Sequence, residues 1–266
     1  MRIIKHIVTF FPAFFLILYF IIIDKFKMNI SDIKSDFSKK EWKTYSLLLS
    51  APLLLSLYYY FGYAHNFVKL FPDFASHPEL DFYSHIYQFA VFFMLMLVLP
   101  LLFQIFVIKK PLTEVGFGLG DTKYGLKLLL IIPIAAPVIY FAVMGDDIRM
   151  EYPLAKILHT RHDLIFVYEL MYVLLYYVAW EFFFRGFLLF NLSEKFGPAN
   201  AIMIQTISSC LIHLGKPAGE TIGAIAVGVL FGYLAIRSKS FWYVFALHIT
   251  LGVLTDLYII FFHGGI

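Results

Sequence analysis

Glu181 and Arg185 stand four residues apart in the stretch from Tyr172 to Phe190, which is otherwise apolar enough to lie in a bilayer. On a helix that spacing stacks carboxylate and guanidinium one turn apart on one face, within ion-pair reach. A charge in the membrane interior costs about 2.5–3.5 kcal/mol on insertion scales, so such groups are paired and by default serve a site. Downstream, His213 ends the apolar run that begins at Ala201, and His248 lies inside the run that begins at Phe241. Glutamate can take a proton from water, while histidine can orient that water or stabilise a developing oxyanion. Glu181, Arg185, His213 and His248 therefore describe a site for peptide hydrolysis by activated water, with no covalent intermediate. A plainer role exists for each: a helix-locking ion pair, or a hydrogen-bonded core histidine. Four such groups in three of the last four apolar runs favour a shared site.

Other chemistries are less well supplied. No His-Glu-x-x-His run is present for zinc, and no Gly-x-Ser-x-Gly for a serine nucleophile. Gly118-Leu-Gly-Asp121 matches a Gly-x-Gly-Asp motif, but it lies in a polar loop after Lys109-Lys110 and has no Tyr-Asp partner. The single cysteine, Cys210, reads as a small packing residue. No cofactor or metal is expected, and a chelator-insensitive glutamate mechanism suits these residues better than a zinc site. Two further acids are possible supporting residues. Glu220 follows Gly215-Lys-Pro217 at the start of a span, where a carboxylate also complements a helix N-terminus. Asp256 lies two turns beyond His248, where a packed polar contact is the simpler role.

The elements that must position these groups are membrane helices. The chain has 266 residues, 61% of them hydrophobic and 20% aromatic, with a mean hydropathy of +0.80. This is well above the apolar content of soluble domains. Apolar runs of spanning length predict an all-α polytopic membrane protein of about eight transmembrane helices, near 3–23, 45–63, 84–108, 125–144, 164–190, 199–214, 219–236 and 241–262. The first is read as a retained span, since no small-residue cleavage site precedes Asp24-Lys25. Gly228-x-x-x-Gly232 predicts a close approach by a neighbouring helix. Alternate loops, with Lys127 just inside a span, hold 13 of the 21 Lys and Arg residues against 7 on the other side, which places both termini outside the cytoplasm. A net charge of +3 gives no reason to expect nucleic acid. The expected partners are the lipid bilayer and a membrane-associated protein or peptide. One tension is visible: Glu181 and His248 fall 9 and 7 residues inside their predicted spans and His213 about 14, so convergence requires a tilted or later-starting sixth helix.

At this point the sequence resembles the CPBP family of intramembrane proteases, which includes the type II CAAX prenyl endopeptidases. The family signature reads Glu-Glu-x-x-x-Arg, Phe-x-x-x-His, then His-x-x-x-Asn. The corresponding residues here are Trp180-Glu181-Phe-Phe-Phe-Arg185, Ser209-Cys-Leu-Ile-His213 and His248-Ile-Thr-Leu-Gly252. The resemblance covers about residues 164–262. It implies a division into N-terminal transmembrane helices, 1–163, and a catalytic helical core, 164–266. It also implies an intramembrane endopeptidase using glutamate- and histidine-activated water, in a bacterial cell membrane by composition. Trp180 stands where the family has its first glutamate, usually assigned to activating water, and Gly252 where it has an asparagine. Either Glu181 or Glu220 then supplies the carboxylate, or the fold is non-catalytic and binds peptides as an immunity or chaperone-like factor. An ion or proton transporter would use the same buried charges, but no inverted repeat supports it.

Overall fold

The computed structural model describes residues 39–262, and every regular element among them is helical. The chain divides into two units, residues 1–45 and 46–266. Of the first, only 39–45 are described; the second carries the site. The principal helices are α1 (Lys39–Gly62), α2 (Leu80–Ile108), α3 (Thr122–Ala142), α4 (His162–Phe196), α5 (Pro198–Leu211), α6 (Ala218–Ser238) and α7 (Trp242–Phe262). All except α5 are long and apolar enough to cross a membrane, which makes this an integral membrane protein. The expected span 3–23 lies outside the described residues.

The expected sixth span, 199–214, is corrected by α5. That helix has 14 residues, about 21 Å of rise, against a hydrocarbon core of about 30 Å. It stops at Leu211, and the chain turns through residues 212–217 before α6 begins. Gly215 takes a φ of +95° in that turn, a conformation that side chains rarely adopt. A short α5 also removes the mismatch in depth. Because α4 runs on to Phe196, Glu181 lies 15 residues from that end, and His213 lies 15 residues beyond Pro198 at the start of α5. Both therefore sit about 22 Å from the same side at 1.5 Å per residue.

Helix α4 is the central element: 67% of its most apolar window is buried, against at most 28% for the other spans. Aromatic side chains fill its contacts. Phe92 of α2 stacks on Tyr176 at 4.2 Å and on Trp180 at 5.8 Å between ring centroids. Around Val178–Glu181 the helix is wound with wide i→i+5 turns, at Tyr172–Tyr177 before and Phe182–Leu188 after. Such widened turns recur at functional sites.

Helices α5 and α6 meet through glycine, as the Gly228-x-x-x-Gly232 spacing predicts. A Cβ at Gly228 would lie 2.8 Å from Thr206 Cγ2, and one at Gly232 2.9 Å from Gln205 Nε2. The Gln205 amide donates to the Gly228 carbonyl at 2.8 Å, tying the two backbones together. At one end of the bundle the basic loops gather: the Asp121 amide donates to Ser238 O at 2.7 Å, and Lys110 pairs with Glu194. Asp121, from the Gly-x-Gly-Asp match, caps α3 by accepting from the Tyr124 amide at 3.0 Å and pairs with Arg237 at 3.1 Å.

Candidate active site

Glu181 is fully buried on α4, and its Oε1 has two partners. Arg185 Nη1 donates to it at 3.3 Å, and His248 Nδ1 approaches it at 2.6 Å from α7. A carboxylate accepts, so Nδ1 carries the proton and Nε2 is the ring nitrogen left to face outward. The guanidinium is held in turn by aromatic faces, 5.9 Å from the Phe184 centroid and 5.8 Å from that of Phe231. Arg185, Glu181 and His248 thus form one connected chain that runs from buried side chains to the part-buried imidazole.

His213 sits in the turn after α5. Its Nδ1 lies 2.8 Å from Ser209 O, and its own carbonyl accepts from the Thr221 hydroxyl at 2.7 Å, which anchors the turn to α6. With Nδ1 donating to a carbonyl, Nε2 is again the free acceptor. Burial pushes this imidazole down to about 4, so it is neutral at physiological pH. Nε2 of His213 stands 4.0 Å from Glu220 Oε1. That oxygen accepts from the Tyr152 hydroxyl at 2.8 Å and from Lys216 Nζ at 3.2 Å. Lys216 is shared with Glu151 at 3.6 Å, bonds the Tyr152 hydroxyl and lies over its ring. Burial and the Glu220 carboxylate together hold the Tyr152 phenol well above its usual range.

A cavity of about 590 Å³ brings these groups together; His213, Glu220 and His248 line it with Tyr152 and Tyr177. Its other wall is the face of α6 bearing Gly219 and Gly223, where an added Cβ would meet nothing within 4 Å. Glu181 and Arg185 do not line the cavity; they connect to it through His248. Asp256 does not reach it. Its neighbour Thr255 lines the space, while the wholly buried Asp256 carboxyl faces that of Glu169, with no other hydrogen-bond partner among the described residues. Among the described residues no three His, Cys, Asp or Glu side chains gather as metal ligands would.

Tyr177 and Tyr152 had no signal in the sequence, and Trp180 was marked there only as the residue standing at the family's first glutamate. Tyr177 packs its ring edge-on to His248 at 4.9 Å, and its hydroxyl occupies the space that a side chain at residue 252 would need. Gly252 and Tyr177 are therefore complementary, which accounts physically for the missing side chain. Trp180 lies between the imidazoles, with its ring centroid 5.3 Å from His213 and 5.8 Å from His248. Tyr152 and Asp147, which also line the cavity, come from the connection between α3 and α4. An aromatic in an aromatic-rich chain carries no motif. Only the packing singles these out.

Residues 162–254 match the family model described as type II CAAX prenyl endopeptidase Rce1-like. That segment holds all three motif regions, and the match supports the CPBP resemblance drawn from the sequence. Comparison with curated proteins and with solved structures yields no match.

Proposed function

From the similarity of residues 162–254 to the type II CAAX prenyl endopeptidases, we propose that the protein is an intramembrane endopeptidase acting on a membrane-associated protein or peptide. The observation that carries the reading is the shared cavity. A carboxylate and two imidazoles from three separate segments face it, and the histidine on α7 is held from behind by Glu181 at 2.6 Å.

In this reading Glu220 takes the place of the absent motif glutamate. A water in reach of Glu220 and of His213 Nε2 donates one hydrogen to each. Glu220 takes a proton as the water oxygen bonds to the scissile carbonyl carbon. It returns that proton to the amide nitrogen as the C–N bond breaks. The Tyr177 hydroxyl donates to the carbonyl oxygen, where negative charge develops. His248 presents Nε2 to the same space and is kept in one tautomer and orientation by Glu181. Arg185 balances the buried carboxylate. Glu181 is thus a positioning residue, since its carboxylate is fully buried. Burial of the site among membrane helices strengthens each of these interactions.

The clustering of basic loops at one end of the bundle supports an orientation with that end cytoplasmic and both chain termini opposite, and the composition fits a bacterial cell membrane. One observation favours a second reading, a non-catalytic peptide binder: Trp180 fills the space between the imidazoles where the family carries an acid.

The test is cleavage of a panel of fluorogenic membrane peptides by the purified protein in proteoliposomes. Glu220→Gln and His248→Ala should each lower kcat at least 100-fold while peptide binding persists. A wild-type protein that binds peptides and cuts none over long incubation establishes the binder instead.

A further inference from the structure

Two spaces meet at this site. Beside the large cavity lies a cleft of about 50 Å³ whose own lining includes Trp180, Tyr172, Tyr176, Ile212 and Lys216. Tyr152, Tyr177, His213, Glu220 and His248 line both spaces. Every side chain given a chemical role at the cavity is therefore also on the boundary with the cleft. The cleft is polar, walled by phenols, imidazoles, an ammonium and a carboxylate.

Two buried polar atoms on its lining residues have no hydrogen-bond partner among the described residues: Nε1 of Trp180 and Oε2 of Glu220. The Trp180 indole is only 3% exposed, and its position is set by Phe92 and Tyr176 packed on it. A buried donor left unbonded carries a desolvation penalty that a bonded water relieves. Polar cavities hold ordered water when each molecule has about 10–15 Å³ and two to four polar partners. A cleft of about 50 Å³ meets that condition for a small water cluster. The peptide needs the larger, glycine-walled space.

We propose that the cleft is the site from which the hydrolytic water is delivered. The Trp180 N–H holds that water and Glu220 Oε2 accepts from it, while the peptide occupies the large cavity. The bond to the carbonyl carbon forms across the shared wall. Trp180 then does more than replace an acid with bulk: its N–H orients the water that Glu220 deprotonates. This rests on the peptidase reading, and it adds separate places for the two reactants.

The test combines kinetics with a structural readout that needs no activity. Trp180→Phe keeps a ring against Phe92 and the two imidazoles and removes the N–H. With a peptide that the wild type cuts, kcat should fall at least tenfold while KM and peptide affinity stay unchanged. Ile212→Phe, which adds bulk at another residue lining the cleft, should give the same split, and it decides the matter if Trp180→Phe does not fold. A crystallographic or cryo-EM map of the full chain should show water bonded to Trp180 Nε1, and that water should be lost in Trp180→Phe. Unchanged kcat in the folded variants, a rise in KM alone, or a dry cleft in a map that resolves water elsewhere overturns the proposal. A wild type that cuts nothing sinks the peptidase reading instead, and the density at Trp180 still decides whether the cleft holds water.

Discussion

Glu181 Oε1 lies 2.6 Å from Nδ1 of His248, a residue 67 positions further along the chain, and this contact decides which imidazole nitrogen faces the cavity. Replacing the carboxylate with an amide of the same shape leaves a neutral, weaker acceptor and adds an NH2 donor, so the proton is no longer held on Nδ1 as firmly. Glu181→Gln should reduce kcat by about 10²–10⁴ with little change in KM. Steady-state kinetics on a cleavable peptide checks this, and wild-type turnover in the variant would refute the positioning role.

Arg185 presents a different kind of dependence. Its guanidinium is 3% exposed and its charged partner Glu181 is fully buried. Removing one member of a buried pair leaves the other uncompensated, at a cost of about 3–5 kcal/mol. Arg185→Met should therefore melt far below the wild type in detergent, and Arg185→Met with Glu181→Gln should recover most of the loss. A double variant as unstable as the single one would show that lost packing, not lost charge balance, dominates.

Acid should weaken the fold through His213. Its folded-state value of about 4 lies below the ordinary 6.5 because of burial. The unfolded chain therefore takes up this proton first as pH falls. The contribution is intact above about 6.5, is lost progressively between about 6.5 and 4, and changes no further below that. A shift of that size corresponds to about 3 kcal/mol. Melting temperature against pH should drop through this window, and His213→Gln should flatten that part of the curve.

The glycine wall offers a change in shape without a clash. A Cβ at Gly223 meets nothing within 4 Å, and the residue lines the cavity. Gly223→Leu should leave the melting temperature close to wild type and weaken peptide binding at least tenfold by occupying the space. Fluorescence titration of a labelled membrane peptide, alongside a melt, measures both. Unaltered affinity would move the peptide site elsewhere.

Asp256 and Glu169 face each other with no other hydrogen-bond partner among the described residues, and both are buried. Two carboxylates that close cannot both be charged without strong repulsion. Asp256→Asn keeps a hydrogen-bonding group of the same shape and removes one ionisable acid, so it should melt at or above the wild type. Asp256→Ala leaves Glu169 buried without its partner and should lose about 1–3 kcal/mol. Activity should follow stability in both, because Asp256 is off the cavity wall.

Much of this architecture is written in local pattern. Apolar runs of spanning length mark the helices because a bilayer leaves the backbone few other ways to satisfy its polar groups. The i, i+4 spacing of Glu181 and Arg185 marks an ion pair, and Gly228-x-x-x-Gly232 marks a close helix contact, because each depends on one helix alone. His213 and His248 were recognisable as charge-bearing groups in apolar surroundings. What the sequence left open depends on where helices end and which faces meet. The stop at Leu211 and the run of α4 on to Phe196 bring His213 level with Glu181. The α6 register turns Glu220 towards His213, and α4 packing puts the Tyr177 hydroxyl in the space Gly252 leaves. Composition could not single out Tyr177 or Tyr152 among 18 tyrosines, and the motif marked Trp180 without showing what its ring would touch. Their roles arise from contacts between segments far apart in the chain, and those contacts exist only once the helices have packed.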